Sequence, residues 1–118
     1  IFDCVNCSIA DNDGSTPGAT MNIVGSATVR LRNSILWNNL PSNAQCSGCN
    51  LEGANLTGGT DPLFREALSR EAIEDFMIDS TSPARDAGDS FVDAPTSDYF
   101  GTVRDDGAND LGFHEFTE

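Results

Sequence analysis

Three short stretches between residues 1 and 59 can be laid over one another, and this repetition constrains the fold more than any other feature of the chain. They are Phe2–Asn12, Val29–Asn39 and Ala44–Ala54. Each has a small or polar residue flanked by strand formers, then an apolar pair, then Asn or a small residue. The overlay puts Asn6, Asn33 and Gly48 in one column. Asn and Gly tolerate the left-handed backbone that a sharp bend between two strands requires. Coils stacked about 4.8 Å apart would let the Asn side chains hydrogen-bond from one coil to the next and satisfy the corner. The pattern therefore predicts an all-β chain built as two to three stacked coils. The column is spaced by 27 and then 15 residues, so the coils are better defined than their register. A one-residue shift improves the match of Ile9, Ile35 and Leu51. Asp11 to Gly18 is a loop by composition, and Thr20 to Gly25 fits another strand. Val29, Leu31, Ile35, Leu36 and Trp37 are the expected core.

The texture changes at Asp61-Pro62. Apolar residues at 64, 68, 72, 73 and 76 approach helical periodicity, and Asp61 with Pro62 makes an acceptable cap and first turn, which predicts a short helix over 64–76. Phe76 to Ile78 then fits a strand leading to a turn at Ser82-Pro83. Residues 86–118 are rich in Asp, Gly and Pro and should pack as irregular chain across the end or side of the coils, covering edges that would otherwise be unpaired.

Four segments of this second half recur in a known order: Asp61-Pro-Leu-Phe64, Ser82-Pro-Ala-Arg-Asp-Ala-Gly-Asp89, Arg104, and Asp110-Leu-Gly-Phe-His-Glu-Phe116. Together they resemble the end of right-handed parallel β-helix proteins of bacterial surfaces, the choice-of-anchor or polymorphic outer-membrane repeat type. Tails of that family read D-P-L-F, S-P-A-x-D-A-G-D, and R-x-x-G-x-x-D-I-G-A-x-E. The resemblance implies a short right-handed parallel β-helix over 1–59, closed by a capping segment over 60–118, in one extracellular or cell-surface domain. The helix over 64–76 would be a local elaboration.

Cys4, Cys7, Cys46 and Cys49 form two CxxC pairs. In a cytosolic chain four thiolates at this spacing would signal zinc; the exported character implied by the resemblance favours disulfides, with free or redox-active thiols as a further reading. The overlay places Cys4 over Cys46 and Cys7 over Cys49, 42 residues apart with one coil between. Two coils are about 9–10 Å apart, beyond the roughly 4.4–6.8 Å Cα separation of a disulfide. Local pairs across the bend, Cys4 with Cys7 and Cys46 with Cys49, are expected instead, provided the column really turns a corner.

Nineteen acidic residues stand against six arginines, with no lysine and a net charge of −13. That balance repels phosphate backbones and argues against nucleic acid as a partner. The absence of lysine removes Schiff-base chemistry, and His114, the single histidine, lies inside the terminal motif, where a structural role is expected. No stretch reaches the roughly 18 apolar residues that span a bilayer, so direct membrane insertion is not expected. The start at Ile1, without initiator Met or leader-like residues, suggests a cut through a longer or processed protein. Calcium is the cofactor to weigh, at Asp11 and Asp13 or at Asp105, Asp106 and Asp110, although turn-forming Asp and Asn explain both runs without metal.

The expected function is a non-catalytic structural module, such as a spacer, adhesin stalk or assembly unit, whose coils stack end to end on neighbouring coils or on copies of themselves, giving a filament. The alternative is a fragment of a polysaccharide-binding or polysaccharide-cleaving protein, with Arg30 and Arg32 facing an acidic sugar; that reading rests on fold analogy alone.

Overall fold

The structure is a computed structural model that describes residues 2–12, 27–39, 49–57, 60–91, 94–104 and 108–117. Six strands form two three-stranded sheets, all strands within each sheet running parallel. The first sheet contains β1 (Phe2–Val5), β3 (Val29–Arg32) and β5 (Asn50–Leu51). The second contains β2 (Ser8–Ala10), β4 (Ser34–Trp37) and β6 (Asn55–Leu56). The chain is all-β in class, and each layer is one strand from each sheet joined by a corner.

The corners are left-handed. Asn6 and Asn33 have φ of 53° and 50°. Phe2 pairs with Val29 and Ser8 with Ile35, so one 27-residue offset holds through the whole corner, and the one-residue shift is not used. The third layer departs from the expected register. Arg30 pairs with Asn50 and Leu31 with Leu51, an offset of 20, whereas Ser34 pairs with Asn55 at 21. The third corner is therefore longer, and Gly53, at φ 62°, occupies the position expected for Gly48, which lies outside the described residues. Consequently Leu51 stands in line with Cys4 and Leu31, in the place the overlay assigns to Cys46, which lies outside the described residues.

A second corner follows β2 and β4, where Asp11 and Asn38 are left-handed at φ 59° and 53°. Here side chains do connect successive layers. Asn38 donates to Asp11 at 2.9 Å, and Asn39 Oδ1 accepts from the backbone and side-chain N–H groups of Asn12 at 3.2 and 3.0 Å. Asn39 itself is fully buried, and its amide reaches the Ile9 carbonyl at 3.0 Å.

The two sheets are buried differently. In β3, Val29 and Leu31 face inward while Arg30 and Arg32 face outward. In β4, Ser34, Ile35 and Leu36 are all buried. Leu36 joins Val29 and Leu31 in the cluster between the sheets; Ile35 belongs to a second cluster with Phe64, Ile78, Ala84 and Leu111, and Trp37 packs half-buried against it. The strands thus supply one core between the sheets, and residues 60–116 supply another on the outer face of the second sheet. Each fully buried Leu or Ile contributes about 1.5–3 kcal/mol.

The expected helix over 64–76 is absent; only Ile73–Phe76 forms a single 3-10 turn. Leu63 is left-handed at φ 53°, with Asp61 accepting its N–H, so the cap closes a tight turn and does not start a helix. The chain instead doubles back: Phe64 bridges Ile78 antiparallel, and Arg65 and Glu66 donate to the Met77 and Asp75 carbonyls. Phe64 and Phe76 meet edge to face at 5.6 Å, which is why both are apolar, while Leu68, on the same supposed stripe, is 91% exposed.

Candidate functional site

The tail runs along the first corner column and bonds to every layer. Asn6 Nδ2 donates to the Asp110 carbonyl at 2.9 Å. Asn33 donates to the Asp89 carbonyl at 2.7 Å and accepts its N–H at 2.8 Å. Asp89 Oδ2 accepts the Ala54 N–H at 2.8 Å, which extends the contact to the third layer. The expected coil-to-coil Asn ladder is therefore replaced here: the Asn6 and Asn33 amides satisfy carbonyls of a tail backbone that has no sheet partners of its own at this point. The tail lies along the side of the stack, against the corner and the outer face of the second sheet.

Gly112 shows how close that approach is. It is left-handed at φ 83°, donates its N–H to the Asn33 carbonyl, and a Cβ there would stand 2.5 Å from Ser8 Oγ and 2.8 Å from Ile35 Cδ1. Only glycine combines that backbone conformation with that approach.

Under the corner lies a buried polar hub. Arg104 Nη1 donates to Glu115 Oε2 at 2.8 Å and to the Asp110 carbonyl at 3.0 Å, and its Nη2 donates to the Gly112 carbonyl at 2.9 Å. Both side chains of the Arg104–Glu115 pair are 1% exposed. The carboxylate of Asp110 accepts the N–H groups of Asp86 and Phe116, and Glu115 Oε2 accepts that of Asp110. Ser82 donates to the Pro62 carbonyl, and Leu111 donates to that of Ala84. All four tail segments singled out in the sequence thus converge. Their polar groups tie irregular chain together where no sheet ladder satisfies it, as burial demands.

His114 belongs to the same assembly. Its Nδ1 accepts the Ile78 N–H at 3.1 Å, so its proton sits on Nε2 in the neutral ring. Burial pushes its pKa below the ordinary 6.5, Asp98 opposes that shift, and Arg65 and Arg104 add to it.

Cys4 and Cys7 form a disulfide across the first corner, with Cα atoms 6.0 Å apart. Cys49 is also disulfide-bonded, and Cys46 lies outside the described residues. Asp11 makes a bidentate pair with Arg70 at 2.6 Å, whose hydrogen bonds hold the Asp11 carboxyl below its usual range. Arg70 also covers Phe64 and Phe76 and donates to the Glu66 and Ala67 carbonyls, binding the doubled-back segment to the second corner. Asp13, Asp105 and Asp106 lie outside the described residues, so neither expected calcium set is assembled in full view. Among the described residues no group of three His, Cys, Asp or Glu side chains is arranged to hold a metal.

Arg30 and Arg32 are engaged by Asp3 and Glu52 along the outer face of the first sheet, and Arg32 also lies 5.0 Å from the Phe91 ring centroid. Sequence reasoning missed Asp89 and Gly112 as the residues that dock the tail; the signal available was their place in the tail motifs, which carries no information about which strand they meet. Among the described residues no helix is long and apolar enough to cross a membrane. Comparison with family models, with curated proteins and with solved structures returned no match.

Proposed function

We propose that this chain is a non-catalytic structural module of an extracellular or bacterial surface protein: the last coils of a right-handed parallel β-helix, held by a side-packed tail and continued at the first layer by further coils or by another copy. The parallel register in both sheets and the left-handed corners support the helical reading, since parallel crossovers are right-handed in nearly all proteins. The Cys4–Cys7 disulfide is compatible with an oxidising compartment. The polar residues of the tail are engaged with backbone and with one another, which favours a structural role for the motif.

One observation carries the stacking. Phe2 shares the inward-facing column of Val29, yet it is 56% exposed, and Leu51, at the opposite end of the Cys4–Leu31 column, is 51% exposed. Among the described residues no strand pairs with the outer edge of β1 or β2. Beside β2 the same end opens into a groove of about 400 Å³ lined by Ile9, Ala10, Ile73, Phe76 and Phe113 together with the polar Ser8 and Asn12. An apolar column cut across at its end, with open strand edges around it, is what another layer would cover.

Sedimentation velocity and negative-stain microscopy at neutral pH test this. The expected result is concentration-dependent linear association that Phe2→Glu abolishes while the fold persists by circular dichroism. A strictly monomeric particle at every concentration would overturn the stacking.

A further inference from the structure

The three layers do not hold their first corners in the same way. The second-layer corner at Asn33 is bonded on both sides. On one, Arg32 accepts the Asn6 N–H at 3.0 Å; on the other, Asn33 donates to the Ala54 carbonyl at 2.7 Å and Ser34 to Asn55 Oδ1 at 3.0 Å. The third layer has side chains at its corner: Asn55 Nδ2 donates to the Leu31 and Glu52 carbonyls, and Asp89 Oδ2 accepts the Ala54 N–H. The first layer bonds to the second through the Asn6 N–H, the Cys7 carbonyl, which accepts from Ile35 at 2.8 Å, and the Cys7 N–H, which donates to Ser34 Oγ at 3.1 Å. Among the described residues no strand pairs with its other side. This is the corner that the Cys4–Cys7 disulfide crosses, whereas in the second layer Leu31 and Ser34 occupy the matching places with no covalent link.

The disulfide therefore stands where a neighbouring layer is missing. Strands β1 and β2 are four and three residues long, and each is held by a single ladder, to β3 and to β4. Cys4 packs with Ile9 against Val29, Leu31 and Leu36, so the bond ties the core side of β1 to the start of β2. Both cysteines are half-buried. The ring closes over Cys4 to Cys7, the Cys-x-x-Cys spacing that dithiol oxidoreductases use for reversible exchange. Closing so short a loop shifts a local opening equilibrium by about twentyfold at 25 °C.

We propose, building on the stacking read above, that the Cys4–Cys7 disulfide is a redox latch on the layer that accepts the next one. Oxidised, it holds β1 and β2 in the arrangement a further layer pairs with; reduced, that layer opens more readily and stacking weakens. Reduction by a dithiol passes through a mixed disulfide and leaves two protein thiols. The reductant supplies two electrons and two protons and closes as its own disulfide; oxidised glutathione reverses the step, taking up the same electrons and protons as two thiols. Stacking would thus be suppressed where thiols are kept reduced and favoured in an oxidising compartment.

Native-state hydrogen exchange and sedimentation velocity at neutral pH test the latch on three samples: the oxidised chain, the chain reduced with dithiothreitol, and Cys4→Ala/Cys7→Ser with the bond of Cys49 intact. The Asn6 and Ile35 amides, which join the first layer to the second, should exchange about twentyfold faster in the reduced chain and in the double variant. Those of Asn33 and Leu111, which bond to the Ala54 and Ala84 carbonyls, should be unchanged, and their protection establishes that the variant is folded. Association should weaken in both samples by up to the same factor, and oxidised glutathione should restore it in the native chain alone. The latch is overturned if Asn6 and Ile35 exchange equally with the bond broken, if Asn33 and Leu111 accelerate as much as they do, or if association is equally tight in both redox states. It is also overturned if dithiothreitol weakens association of the double variant as strongly as that of the native chain, because the bond of Cys49 would then be responsible. An oxidised chain that is monomeric at every concentration removes the stacking and the latch together, whereas the other contrary results leave the stacking in place.

Discussion

The two sheets share corners and layers but live in different surroundings, and the contrast explains the second half of the chain. The first sheet alternates: Val29 and Leu31 inward, Arg30 and Arg32 outward against Asp3 and Glu52. It is finished on its outer face by ion pairs in water. The second sheet is apolar on both faces, with Leu36 inward and Ile35 outward, and so requires a cover. Residues 60–116 provide it. A sheet that ends in water needs only charged side chains, whereas a sheet that ends in another layer needs a chain whose own polar backbone is satisfied. The Arg104–Asp110–Glu115 hub supplies that satisfaction.

Substitutions that separate the two faces sharpen this contrast. Arg104→Met removes one partner of a pair that is 1% exposed on both sides and should cost about 3–5 kcal/mol, whereas Arg32→Met, whose pair is about one-third exposed, should cost under about 1 kcal/mol. Denaturant unfolding measures both, and equal losses would break the distinction. Next, Ile35→Ala and Leu31→Ala should each cost about 2–5 kcal/mol, because both are 0% exposed, Leu31 in the core between the sheets and Ile35 in the core on the outer face of the second sheet. If Ile35→Ala proved nearly neutral, the outer face of the second sheet would not be covered.

A smaller effect follows from His114. Its folded-state pKa is depressed by burial, so the unfolded chain binds the extra proton first as the solution is acidified. The stabilisation is complete above about pH 6.5, the ordinary value, and is lost as pH falls below it. Chemical denaturation between pH 7.5 and 5 should show stability declining with acid in the native chain and a flatter profile in His114→Gln. The smallest effect belongs to the first sheet: Asp3→Asn should leave the melting temperature unchanged at neutral pH, since its partner Arg30 is held in water.

Parts of this arrangement were legible in the sequence because they are local. The match of Phe2–Asn12 with Val29–Asn39 gave the offset of the first two layers, and Asn6 and Asn33 mark the bend because few other residues accept positive φ. The third layer was not legible. The longer corner at Gly53 breaks the period, and the repeated CxxC spacing points to a register that the pairing of Asn50 and Leu51 with Arg30 and Leu31 does not follow. The helix over 64–76 failed for a related reason: Phe64 and Phe76 meet because the chain reverses, and periodicity alone cannot distinguish a reversal from a helix. The docking of Asp89 and Gly112 on the corner is a contact between distant segments, so no local pattern encodes it.

The central claim is that tail and strands form one structural unit, and native-state hydrogen exchange tests it most directly. The amides of Leu111, Gly112 and Phe116 should exchange only through the same cooperative opening, with the same free energy and denaturant dependence, as those of Asn33 and Ile35 in the stack. Exchange of the tail amides through a separate, low-energy opening while Asn33 and Ile35 stay protected would contradict the account.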